Sequence, residues 1–128
     1  MEFGSFVSLI NNTIHQNLIL NNPGGGTSEI ISVNKNAIRY KRGNSIIAIK
    51  IKAIYDTYNN FKGSKCSTND LKDFNSDIFG TNGHPCNCTF FFLVMKETQL
   101  CTDILGNGKR NSPFYIEIIN DLGRKNVI

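Results

Sequence analysis

The chain has 128 residues, of which 40% are hydrophobic and 19% charged, and its formal net charge is +4. This length is enough for one hydrophobic core but not for two, and the composition is that of a globular protein rather than a disordered one. The sequence contains neither an apolar run near the roughly 20 residues that cross a bilayer nor the basic-then-apolar start of a secretion signal, so we expect a cytoplasmic protein with reduced cysteines.

The first half of the chain predicts a helix, a turn, three strands and a second helix. Apolar residues at helical spacing predict the first helix over residues 5–16, and residues 1–5 also resemble the translation of cloning sites. The Gly-rich stretch 23–27 lacks the Lys-Ser/Thr ending of a nucleotide-binding loop and is predicted to be a flexible turn. Short β-branched runs and an amphipathic pattern follow, which predict strands at 28–33, 37–42 and 45–49 and a helix over 50–61.

The second half predicts two more helices and a strand. Ser67 and Asp70 offer a cap and an acidic first turn for a short helix that carries Leu71 and Phe74. Five consecutive apolar residues from Phe90 make the next helix, residues 85–98, one that must be buried almost all round. A strand over 113–119 ends the ordered pattern.

These elements together predict an α+β fold, in which a small antiparallel β-sheet packs against several helices in a single domain. Within that domain we separate an N-terminal helix and Gly-rich turn (1–27) from a core (28–119) and a polar tail or linker (120–128).

The sequence offers little support for catalysis or metal binding. It contains two histidines and no evident Ser-His-Asp set or carboxylate pair, and a nuclease of the HNH type needs more histidines. His84, Cys86 and Cys88 resemble half of a zinc site, yet cysteines two positions apart on a helix point about 200° away from each other. We therefore expect a binding protein without metal or cofactor.

The start of the most apolar helix, "GTNGHPCNCTFFF" (80–92), carries more information. Pro85 suits the first helical position because its missing N–H would have no partner there. First-turn N–H groups and the helix dipole attract anions. The Pro85 ring, next to His84 and with the small Cys88 three residues on, would add an apolar wall. A weakly hydrated sulfur gains more from such a wall than a strongly hydrated phosphate oxygen does.

Three stretches of the chain resemble one known family. They are "RYKRGNS" (39–45), "GHPCNCTFFF" (83–92) and "GKRNSPF" (108–114), in that order. The chain resembles, over roughly residues 28–119, the sulfur-binding domains of type IV restriction endonucleases, which recognise phosphorothioate-modified DNA. The resemblance implies a sulfur pocket made by His84, Pro85 and Cys88, although alanine is expected more often than cysteine at the last position.

The resemblance also implies which side chains contact DNA. Basic residues of the first and third stretches would clamp phosphates and read bases, and Asn87 lies in the second; the predicted set is Arg39, Lys41, Arg42, Asn87, Lys109 and Arg110. On this interpretation the chain is a non-catalytic domain that binds phosphorothioate-modified double-stranded DNA and directs a nuclease domain located elsewhere. Two alternatives remain open, a small basic toxin or nuclease of a mobile defence element and a generic nucleic-acid- or partner-binding module.

Overall fold

The computed structural model describes residues 1–120. In that range the helices are α1 (Phe3–Thr13), α2 (Ile51–Phe61), α3 (Thr68–Phe74), α4 (Ser76–Phe79) and α5 (Cys86–Glu97). The strands are β1 (Ile19–Asn21), β2 (Thr27–Val33), β3 (Ala37–Arg42), β4 (Ser45–Lys50), β5 (Lys65–Ser67) and β6 (Tyr115–Glu117).

The strands form two antiparallel sheets. The larger sheet has the order β1-β2-β3-β4, so neighbours in the chain are neighbours in space, and the smaller one pairs β5 with β6. Gly43 and Asn44 alone connect β3 to β4, and Gly43 has a φ of 60°. A glycine with positive φ at the first of two turn residues suits the right-handed twist of a hairpin. The predicted α+β fold with an antiparallel meander is confirmed.

Helix α5 is the centre of the hydrophobic core. The ring of Phe90 faces the ring of Tyr40 from β3, with the centroids 3.7 Å apart and the planes inclined by 5°. On another side of the helix Phe91 meets Phe79 of α4 edge-on, at 6.0 Å. Sheet and helices thus enclose α5, and all six residues from Phe90 to Met95 are buried. The prediction of a helix buried almost all round is confirmed.

The predicted element boundaries need several corrections. The first helix ends at Thr13 rather than at residue 16, and the last strand is limited to Tyr115–Glu117. Strands β1 and β5 and the single-turn helix α4 were not predicted. Each of these strands has three residues with one buried side chain, which is too short to show an alternating pattern. Of the predicted tail, residues 120–128, only Asn120 belongs to the described residues.

The N-terminal segment belongs to the same core as the rest of the chain. Phe6, Ile10 and Ile14 are fully buried, and Phe6 packs against the rings of Tyr55 and Tyr58 in α2. Among the described residues, no helix has the length and apolar character that a membrane crossing requires.

The start of α3 confirms the predicted cap. The Ser67 Oγ accepts a hydrogen bond from the Asp70 backbone N–H, and the Asp70 carboxylate accepts one from the Ser67 backbone N–H. This reciprocal pair satisfies two N–H groups that a helix start leaves without partners. It fixes the start of α3 directly after β5.

Candidate nucleic-acid interface

The three stretches that carry the resemblance meet at one end of the molecule. The Nη1 of Arg42, from the first stretch, donates to the Cys86 carbonyl at 3.2 Å and to the Thr89 Oγ1 at 2.7 Å, both in the second. Phe114, the last residue of the third stretch, lines an open cleft of about 300 Å³ together with Arg42 and Thr89. The fold therefore assembles residues that are far apart in the chain.

The Arg42 guanidinium is the main electrostatic feature of this end. It is partly buried, and its carbon lies 5.7 Å from the centre of the Tyr40 ring. Its Nε donates to the Ser28 Oγ at 3.0 Å, whereas its Nη2 is buried without a hydrogen-bond partner. Within the described part of the chain, no ion pair involves Arg42. The hydrogen-bond partners of the guanidinium are therefore all neutral groups.

The other basic residues fall into two groups. Lys109 and Arg110 are exposed near the tip of a hairpin-like loop, which is closed by bridges between Leu105 and Tyr115 and between Lys109 and Ser112. Gly108 in this loop lies against the Phe114 ring, so the tip adjoins the cleft.

Arg39 and Lys41 belong to the second group. Both are exposed, and because side chains alternate along β3 they lie on the sheet face opposite to Arg42 and Tyr40. The structure thus brings Lys109 and Arg110 to the cleft end and leaves Arg39 and Lys41 on the outer face of the sheet.

The start of α5 is organised by its own backbone. Pro85 directly precedes the helix with helical angles, φ −56° and ψ −24°. The Asn87 and Cys88 N–H groups donate to the carbonyls of His84 and Pro85, at 2.8 and 3.0 Å. Two of the first-turn N–H groups that were predicted to hold an anion are therefore already used, while the side chains of His84 and Pro85 are exposed.

Cys88 faces the protein interior. The residue is 2% exposed, and its Sγ lies 3.6 Å from the Phe79 carbonyl oxygen and 3.8 Å from that of Thr68. Burial raises the pKa of this thiol to about 11, so it is protonated at neutral pH. Of the three residues predicted to form a sulfur pocket, the structure therefore places His84 and Pro85 at the surface and Cys88 beneath it.

No metal cluster accompanies these cysteines in the described residues, where no three His, Cys, Asp or Glu side chains lie close enough together to hold an ion. The thiol pKa of Cys66 and that of Cys101 are also raised, in each case mainly by burial. Protonated thiols are poor metal ligands and poor nucleophiles.

Asn87, which was predicted to contact DNA, is a buried connector instead. The residue is 2% exposed, its Oδ1 accepts from the Tyr40 hydroxyl at 2.7 Å, and its Nδ2 donates to the Ile78 carbonyl at 3.0 Å. Because both ends of the amide are occupied inside the protein, Asn87 does not reach the surface. It ties β3 to the segment that precedes α5.

We expect Asn87→Ala to lower the free energy of unfolding by about 1–3 kcal/mol, because it leaves the buried Tyr40 hydroxyl without its acceptor. The Ile78 carbonyl keeps the His84 N–H as a donor. Urea denaturation measures this loss. Tyr40→Phe and the double variant complete a cycle in which the two changes should be non-additive, since they share one hydrogen bond. If Asn87→Ala kept the wild-type stability but bound DNA more weakly, Asn87 would be a DNA contact after all.

The sequence did not reveal the residues that hold Arg42 in place. The Ser28 Oγ accepts from Arg42 and donates to the Asn22 Oδ1 at 2.6 Å, so a short relay runs from the guanidinium to the turn after β1. The available signal was a serine on the buried face of β2, where Ser28 and Ile30 are both fully buried. A buried hydroxyl needs a polar partner.

The chain was compared with protein-family models, with curated proteins and with solved structures, and none of the three comparisons gave a match.

Proposed function

We propose that this chain is a recognition domain that binds double-stranded DNA carrying a phosphorothioate link. The DNA would meet the cleft end, which we define by Arg42, His84, Pro85, Lys109 and Arg110. The observation that carries the proposal is the Arg42 charge, which is partly buried and has no ion-pair partner among the described residues. A desolvated cation without a counterion costs free energy, and a polyanion removes that cost.

The two exposed cations of the hairpin tip suit contacts with the DNA backbone. Lys109 and Arg110 extend this end of the molecule beyond the cleft without any ion pair to a described carboxylate. Contacts of this kind release counterions and position the duplex, and an arginine can also pair with the two acceptors of guanine in the major groove. Lys41 and Arg39, on the other sheet face, contribute long-range attraction in this arrangement.

The resemblance to sulfur-binding domains supports the phosphorothioate part of the proposal. The exposed rings of His84 and Pro85 offer apolar contact to a sulfur atom, which is larger and less hydrated than oxygen. Cys88 lies behind them, and its small side chain fits against the Phe79 and Thr68 carbonyls rather than against the ligand. In this proposal cleavage belongs to a separate nuclease domain of a type IV restriction system, and the protein acts in the bacterial cytoplasm.

The proposal is tested with two duplexes of one sequence, with and without a single phosphorothioate. We expect tighter binding of the modified duplex by a modest margin, on the order of a few kcal/mol, because one atom differs. Equal affinity at physiological salt would contradict the phosphorothioate assignment. Cleavage of either duplex by this chain with Mg²⁺ would instead support the alternative of a small nuclease.

Pro85→Ala separates the two roles of the proline. If its ring contacts sulfur, the variant should stay folded, lose less than about 1 kcal/mol of stability, and lose most of its preference for the modified duplex. Anisotropy titrations with both duplexes measure the preference. Ile19→Ala, which removes an exposed apolar side chain of β1 outside the cleft end, is the control and should keep it. A Pro85→Ala protein with the full wild-type preference would place the sulfur elsewhere.

A further inference from the structure

The Gly-rich loop, residues 23–27, lies beside Arg42. Its three glycines line the same cleft as Arg42 and Thr89. Gly25 and Gly26 have φ values of 106° and 77°, which a residue with a side chain rarely adopts. The Asn22 N–H donates to the Gly26 carbonyl at 2.9 Å and closes the loop. The sequence predicted only a flexible turn here. The structure places that turn next to Arg42, where an anion bound by the loop would also meet a positive charge.

The guanidinium is tied to the loop but incompletely bonded. Nε donates to Ser28, and Nη1 donates to two acceptors on α5, so the two N–H groups of Nη2 are left without acceptors. Ser28 in turn donates to Asn22, whose Nδ2 lies 3.4 Å from the Gly25 carbonyl oxygen. One chain of hydrogen bonds therefore connects the loop with the guanidinium through Ser28 and Asn22.

The donors of this cleft suit a tetrahedral oxyanion. The free edge of the guanidinium offers two N–H groups, and the backbone N–H groups of Gly24 and Gly26 donate no hydrogen bond to any described residue. A carboxylate would use the guanidinium edge alone, whereas the additional donors match further oxygens of a phosphate. The absence of side chains on the loop allows its backbone to approach such a group closely.

We infer that the cleft between the Gly-rich loop and the start of α5 is a binding site for a single phosphate group. Nη2 has almost no exposed surface, so the loop shifts outward to admit the phosphate, whose oxygens then accept the free N–H groups of Arg42 and of the loop. That the phosphate belongs to a DNA strand rests on the proposed function. That the site binds a phosphate group follows from the contacts of Arg42 and of the loop.

Inorganic phosphate is the probe that separates the site from DNA binding as a whole. We expect phosphate to raise the melting temperature of the wild-type protein in a saturable way, because it binds the folded state alone. The amide resonances of Gly24 and Gly26 should shift during the titration, and a duplex at low salt should displace the ion. Potassium chloride at matched ionic strength is the reference. An equal rise in chloride, or no saturable effect, would overturn the inference.

Two variants localise the effect. Arg42→Met should lose the phosphate response, while Arg39→Met, on the exposed face of the same strand, should keep it. If Arg42→Met does not fold, Arg42→Lys preserves the charge without the fork and should weaken phosphate binding at least tenfold. A full response in a folded Arg42→Met or in Arg42→Lys would overturn the inference. A phosphate site that persists without preference for the phosphorothioate duplex would contradict the proposed function and leave this inference standing.

Discussion

Phe90→Ala should lower the free energy of unfolding by about 3–5 kcal/mol, the range for removing a large buried aromatic side chain. Phe90 is fully buried, and its ring stacks on Tyr40 with centroids 3.7 Å apart. The same tyrosine donates to Asn87 and faces the Arg42 guanidinium. Removing the Phe90 ring therefore takes away core contacts and also the surface on which Tyr40, and through it Arg42 and Asn87, is positioned.

Urea denaturation measures the loss, with Phe3→Ala as the control. Phe3 is 37% exposed, and its truncation should cost well under half as much because less apolar surface leaves the core. DNA binding by Phe90→Ala, measured where the variant is still folded, should also be weaker than wild type. A loss of unfolding free energy below about 1 kcal/mol would mean that the core repacks around the missing ring. The Phe90–Tyr40 stack would then not be needed to hold the cleft end in place.

The double variant Lys109→Gln/Arg110→Gln should weaken DNA binding about 60-fold near 0.1 M salt, taking 1 M salt as the reference at which the two contacts contribute nothing. Each phosphate contact contributes about 0.9 to the slope of log affinity against log salt, so two lost contacts remove about 1.8. Both side chains are exposed at the hairpin tip, and the fold should be unaffected. Anisotropy titrations at several salt concentrations give affinity and slope together.

A matched control removes the same net charge elsewhere. Lys35 and Lys50 lie at the end of the sheet opposite the Gly43 turn, and Lys35→Gln/Lys50→Gln should reduce affinity far less. Equal losses in the two double variants would mean that net charge governs binding and that the hairpin tip is not a contact. An unchanged salt slope in Lys109→Gln/Arg110→Gln would lead to the same conclusion.

Local patterns were sufficient for the larger elements of the fold. The meander follows from β-branched runs joined by short turns, and the start of α3 follows from Ser67 and Asp70, whose cap involves neighbours in the chain. The burial of α5 follows from its run of apolar residues. In each case the residues that decide the structure are close together in the sequence, so their spacing contains the information.

The candidate site could not be predicted to the same extent, because its decisive contacts join distant residues. Asn87 was predicted to contact DNA, yet its buried partner Tyr40 comes 47 positions earlier in the chain. Arg42 was predicted to contact DNA, but its position against Thr89 depends on how β3 packs on α5. The direction of Cys88 depends in the same way on the carbonyls of Phe79 and Thr68.

The pairing of β5 with β6 has a consequence for the order of folding. The meander β2-β3-β4 closes through short turns, so its contacts cost little loop entropy and form early. The β5–β6 pair joins segments on either side of α3, α4 and α5, and it closes a much longer loop. The hairpin tip and Phe114 reach the cleft when that loop closes. We therefore expect the proposed ligand-binding surface to form late in folding, after the meander.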